Sequence, residues 1–165
     1  MYPYNRKTQL YTVETRAKEG KPNQNSTLAA DRRLQELLSL AQAETTEMAE
    51  KYAALRNDAA LAASEAILNT LYLDGRKHLR LLKEAEFLIF GTAAAPIPLE
   101  TGEHTADTAL LLEELLFAEL DDIPFYRSLL FAMDAEDLQN IFFEILTDKQ
   151  NHTAVLNHLY AKYFR

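Results

Sequence analysis

The chain has 165 residues, 48% of them apolar and 25% charged, with four glycines, five prolines and a net charge of −8. That length supports one domain with its own core, and that composition excludes collagenous, low-complexity and wholly disordered chains. Cysteine is absent, which excludes disulfides, thiolate metal sites and cysteine nucleophiles together.

No apolar run reaches the length of a membrane span, and the N-terminus lacks the apolar core of a secretory signal, so a soluble, cytoplasmic protein is expected. Charge is unevenly placed. Residues 1–26 hold Arg6, Lys7, Arg16, Lys18 and Lys21 against Glu14 and Glu19, a balance of +3. Residues 27–165 hold 12 basic and 23 acidic side chains, a balance of −11. A body this acidic repels phosphates, which argues against a nucleic-acid partner. The segment 1–26, with Tyr2, Tyr4 and Tyr11, reads as a basic tail ahead of a domain spanning 27–165.

From Thr27 onward the pattern is helical. Asn25, Ser26 or Thr27 can cap a first helix with apolar positions at Leu34, Leu37, Leu38, Ala41, Met48, Tyr52 and Leu55, three and four apart. Asn57 and Asp58 supply a break and a new cap. A second helix then extends to Phe90, with Ile67, Leu71, His78, Leu82, Ala85 and Ile89 on one stripe. Gly91 is placed to end it in the left-handed conformation. Residues 92–104 contain Pro96, Pro98 and Gly102 without a helical period and read as a connection across the molecule. A third helix is expected from about Thr105 to Met133, with a kink at Pro124. Asp134 would cap a fourth, whose stripe is Ile141, Ile145, Lys149, His152, Leu156, Leu159 and Tyr163. Two short turns and one long connection make an all-α bundle of two helical hairpins joined by a crossover.

The second hairpin repeats the first at an offset of 74 residues without a gap. Leu37 and Leu38 fall on Leu111 and Leu112, Tyr52 on Tyr126, Leu55 on Leu129, Ile67 on Ile141, Asp74 on Asp148, His78 on His152 and Leu82 on Leu156. Leucine matches are common between helices, whereas pairing two of only four histidines is not.

These residues resemble the ferritin-like superfamily, the rubrerythrin and bacterioferritin type of di-iron carboxylate bundle. In that family each hairpin offers a Glu from its first helix and a Glu-x-x-His from its second. The matching segments here are Asp74-Gly75-Arg76-Lys77-His78 and Asp148-Lys149-Gln150-Asn151-His152. Glu119 stands seven residues before Tyr126, as the first-helix Glu does in the family, and Thr45 stands in the same relation to Tyr52. The resemblance therefore assigns the six ligand positions to Thr45, Gly75, His78, Glu119, Lys149 and His152. It also implies that Tyr52 and Tyr126 hydrogen-bond the buried acids. Asp74 is expected to orient His152, and Asp148 to orient His78, each across to the opposite hairpin.

Three of four carboxylates are missing from this set, and two iron ions at close range need four anionic donors. A lysine in the cavity repels them further. The resemblance thus implies the fold and argues against the family's usual activity: a non-catalytic structural or interaction module, with no catalytic residues and no cofactor. The alternative is a metal-binding oxidase, peroxidase or iron-storage protein with atypical ligands, a single transition-metal ion held by His78, Glu119 and His152. Partners expected on either reading are an unidentified protein or further copies of the chain, without nucleic acid or membrane. Small proteins of this kind are similar to ones found in spore-forming bacteria, which implies a sporulation or coat-associated role by analogy alone.

Overall fold

A computed structural model of the chain describes residues 24–92 and 107–164, with side chains in the first helix described from Asp31 onward. The basic segment up to residue 23, the connection 93–106 and His104 within it lie outside the described residues. Helix α1 spans Gln24–Arg56, α2 Glu65–Phe90, α3 Thr108–Ala132 and α4 Glu136–Phe164. Among the described residues there is no strand.

The ends of the helices differ in detail from the sequence expectation. Asn25, Ser26 and Thr27 lie inside α1 and not at its cap. Polar residues cost a long helix only tenths of a kcal/mol each (about 0.5), and propagation carries through them. Asp58 does act as a cap, accepting from the Ala60 N–H at 2.8 Å, but the element it starts is a short 3₁₀ turn, Ala59–Ser64. That turn sends Leu61, fully buried, into the end of the core, and packing there overrides the helical preference of its alanines. At the far end of α2, Gly91 adopts φ 69° and its N–H reaches Phe87 O at 2.8 Å, the left-handed close expected of glycine.

Asp107 caps α3, accepting from Ala109 N at 2.9 Å and Leu110 N at 3.1 Å, so this helix begins three residues later than expected at Thr105. It continues through Pro124 to Ala132. Helix α4 starts at Glu136, after Asp134. The Gln139 N–H bonds Ala135 O at 3.0 Å, and Glu136 and Asp137 supply negative charge to the first turn. One stripe position is corrected as well. Ile67 is exposed, and Leu68 is buried in its place, because Leu68 keeps the three-and-four spacing with Leu71, Gly75, His78, Leu82 and Ala85.

The hairpins are α1 with α2 and α3 with α4, and they meet through α1 against α3 and α2 against α4. Thr108, opening α3, hydrogen-bonds Asp58 at the α1–α2 turn. At the same end Ser64 bonds the Tyr163 hydroxyl at 2.8 Å, near the close of α4. The chain therefore leaves α2 at one end of the bundle and re-enters α3 at the other, giving an up-down-down-up order.

The apolar core is in two parts. Leu37, Leu38, Leu82, Phe125, Tyr126, Ile141, Phe142 and Ile145 belong to one cluster. Tyr52, Leu55, Leu61, Leu68, Leu71, Leu112, Leu115, Leu156 and Leu159 belong to the other. Between them, at mid-helix, sits a layer of buried polar side chains.

Candidate functional site: a buried polar layer

Each helix contributes to this layer because a polar residue occupies a position on its inward stripe. Glu119 on α3 and Lys149 on α4 have side chains 0% and 2% exposed, and the ammonium lies 3.0 Å from Glu119 Oε2. The same Nζ is 2.9 Å from Asp122 Oδ2, whose side chain is also buried, and 3.6 Å from Met48 Sδ on α1. Lys149 thus sits between two carboxylates one helical turn apart. Burial alone would push its ammonium toward deprotonation, but Asp122, Glu119 and Tyr126 outweigh that and hold it far above the usual lysine range.

Glu119 gathers three partners. Burial would raise its carboxyl, yet the Lys149 charge and the His152 hydrogen bond and charge hold it below the ordinary range. The Tyr52 hydroxyl donates to Glu119 Oε1 at 2.6 Å, joining α1 to α3. Burial and the adjacent Glu119 charge push the Tyr52 hydroxyl well above the normal tyrosine range, so it stays a donor.

His152 lies between acids from both hairpins. Its Nδ1 is 3.0 Å from Glu119 Oε1, and its Nε2 is 3.1 Å from Asp74 Oδ2 on α2. A carboxylate thus faces each ring nitrogen, one from each hairpin. His78, fully buried, lies 5.7 Å from His152 between ring centroids, and its Nε2 donates to Asp148 Oδ2 at 3.0 Å. The aspartate–histidine pairs cross between hairpins: Asp74 with His152 and Asp148 with His78. Burial holds the His78 imidazole below the usual histidine range against the opposing pull of Asp148, which keeps it neutral. Its Nδ1 has no hydrogen-bond partner.

Lys77, which the sequence did not single out, closes the layer toward solvent. Its ammonium is 2.7 Å from Asp148, 3.1 Å from Glu144 and 3.3 Å from Asp74. The His78 hydrogen bond, then Lys77, hold Asp148 far below the usual carboxylate range despite partial burial.

The remaining ligand positions of the resemblance lie on the α1–α2 side and carry no charge. Thr45 is buried. Gly75 meets α1 closely: a Cβ on it would lie 3.2 Å from the Ala49 Cβ and 3.6 Å from the Ala49 Cα. Any side chain at Gly75 would press its Cβ on Ala49, so the two helices would have to part there by a few tenths of an ångström. Tyr126 is buried in the neighbouring apolar cluster, edge-on to Phe125 with ring centroids 4.9 Å apart. His158 is exposed, away from the layer.

Asp122 is not among the ligand positions that the resemblance assigns, yet it belongs to the layer. The signal for it was its spacing of three from Glu119, which puts both on one side of α3. A second buried acid was missed altogether: Glu86 on α2, fully buried, accepts from Gln42 Nε2 at 2.8 Å.

The donor set does not fit a di-iron centre. Both His152 nitrogens are engaged by carboxylates, Glu119 Oε2 faces an ammonium, and Gly75 is closed against α1. Among the described residues no group of three or more His, Asp or Glu side chains is arranged to hold a metal ion. No family model, curated protein or solved structure matches the chain. Nor, among the described residues, is any helix long and apolar enough to cross a membrane.

Proposed function

We propose that this chain is a ferritin-like bundle in which a lysine-centred ion cluster stands where the di-iron centre of that superfamily would lie, and that it serves as a non-catalytic structural or interaction module. The observation that carries the reading is Lys149, whose ammonium lies between Glu119 and Asp122 at the position the resemblance assigns to a glutamate ligand. A fixed cation there offsets the buried carboxylates, a task that falls to iron in a carboxylate bundle. The crossover topology and the crossed aspartate–histidine pairs support the same descent. Metal-dependent oxidase, peroxidase or storage chemistry has no comparable support, because the side chains it would use are bonded to each other.

The test is a ferrous-oxidation assay with metal analysis on the purified chain. The reading expects iron oxidation in air at the rate of buffer alone, and metal content far below one ion per chain after loading and desalting. Two ions per chain, or oxidation that scales with protein concentration, would overturn it.

A further inference from the structure

Helix α3 is apolar on two sides. Its inward face carries Leu111, Leu112, Leu115, Glu119, Asp122, Phe125, Tyr126 and Leu129. Its outward face carries a second row, Leu110, Phe117, Leu120, Pro124 and Phe131, completed by Glu113 and Arg127. These seven positions are spaced alternately by three and four residues, so they form one continuous seam of the kind that packs helix against helix. The large apolar members are exposed: Leu110 50%, Phe117 39%, Leu120 45% and Phe131 81%. Surface helices of soluble proteins ordinarily place charge on that side.

The seam is also self-complementary in charge. It holds one acid, Glu113, and one base, Arg127, each seven residues from Leu120 on opposite sides. A two-fold axis through Leu120 turns a second copy antiparallel and sets Glu113 of one chain beside Arg127 of the other, twice. Although the chain carries a net charge of −8, the seven seam positions sum to zero, with exposed Glu114 and Asp121 only on the flank, so charge along the seam itself does not oppose a second copy.

We infer that the outward face of α3 is a homodimer interface, an antiparallel α3–α3 seam about Leu120 with reciprocal Glu113–Arg127 pairs. The seam spans 22 residues, roughly 32 Å of helix. One helix pair of that length covers less than the about 800 Å² per partner of a standard interface, so the association is weak and concentration-dependent.

Sedimentation velocity from about 1 to about 300 µM chain brackets an affinity of that order. A reversible monomer–dimer equilibrium is expected. Leu120→Glu should raise its dissociation constant at least about tenfold while circular dichroism stays helical. Glu113→Arg and Arg127→Glu should each weaken the dimer, and the two together should restore it. Because the chain has no cysteine, Leu120→Cys supplies a single thiol that should cross-link two chains on mild oxidation. Phe131→Cys should not, since its two copies would lie roughly 33 Å apart. A monomer throughout that range would overturn the proposal, and would mean that residues 1–23, the connection 93–106 or a different protein covers the seam. A dimer indifferent to Leu120→Glu and to the charge exchange would overturn it equally.

Discussion

Individual residues in the polar layer are held by more than one partner, and that determines what each substitution costs. Tyr52 hydrogen-bonds Glu119 Oε1 at 2.6 Å, His152 bonds the same oxygen at 3.0 Å, and Lys149 forms an ion pair with Oε2. Tyr52→Phe keeps the ring and removes only the donor to a charged acceptor, so thermal or urea unfolding should show a loss of about 1.5–3 kcal/mol. A neutral result would mean that the remaining donors satisfy the carboxylate alone.

His78 sets a pH dependence of definite sign. An unfolded histidine takes up its proton near pH 6.5, approximately, whereas the buried His78 does so at lower pH. Below that pH the unfolded chain binds more protons, so stability falls as the solution is acidified. Glu119 and Asp148, held low in the fold, add a second loss when the pH drops below the ordinary carboxylate range toward their folded values. Unfolding free energies at pH 7 and pH 5 should therefore differ less in His78→Gln than in the parent. An equal difference would show that His78 does not bind its proton on unfolding.

At the level of elements, most of the helical pattern was legible because buried side chains recur three and four apart, and because the repeat placed two histidines and two aspartates on equivalent turns. What escaped the sequence depended on contacts between helices. The 3₁₀ turn exists to bury Leu61, which no local spacing reveals. Ile67 matched Ile141 in the repeat, yet only Ile141 is buried. Lys77 looked like any surface lysine until α4 brought Glu144 and Asp148 to it.

Gly75 is the clearest case. Read alone, a glycine inside a helix costs about 1 kcal/mol against alanine, so replacing it should stabilise. The structure sets against this a Cβ contact of 3.2 Å to Ala49, an atom fixed to the α1 backbone that cannot rotate away. Overpacking of this kind costs about 1–3 kcal/mol. Gly75→Ala should accordingly bring no gain in melting temperature, Gly75→Glu should destabilise strongly, and Ala49→Gly should recover stability in the Gly75→Ala background. A plain increase for Gly75→Ala would show that the two helices separate freely there.

Across the whole molecule, the polar layer adds ties between the hairpins to those made by the apolar core and the bundle end. Tyr52–Glu119 links α1 to α3, and Asp74–His152 and His78–Asp148 link α2 to α4, between two apolar clusters that each draw on all four helices. Lys149 is central, since its removal leaves Glu119 and Asp122 without their shared cation. Breaking a buried ion pair from one side typically costs about 3–5 kcal/mol, while replacing both sides with apolar groups is often neutral. The most direct test is urea unfolding of the parent, Lys149→Met, Asp122→Leu and the double variant. Lys149→Met should lose about 3–5 kcal/mol, and the double variant should recover much of it, with a coupling energy of about 2 kcal/mol or more. A near-neutral Lys149→Met with no coupling to Asp122 would contradict the claim that this lysine occupies the place and does the electrostatic work of a metal.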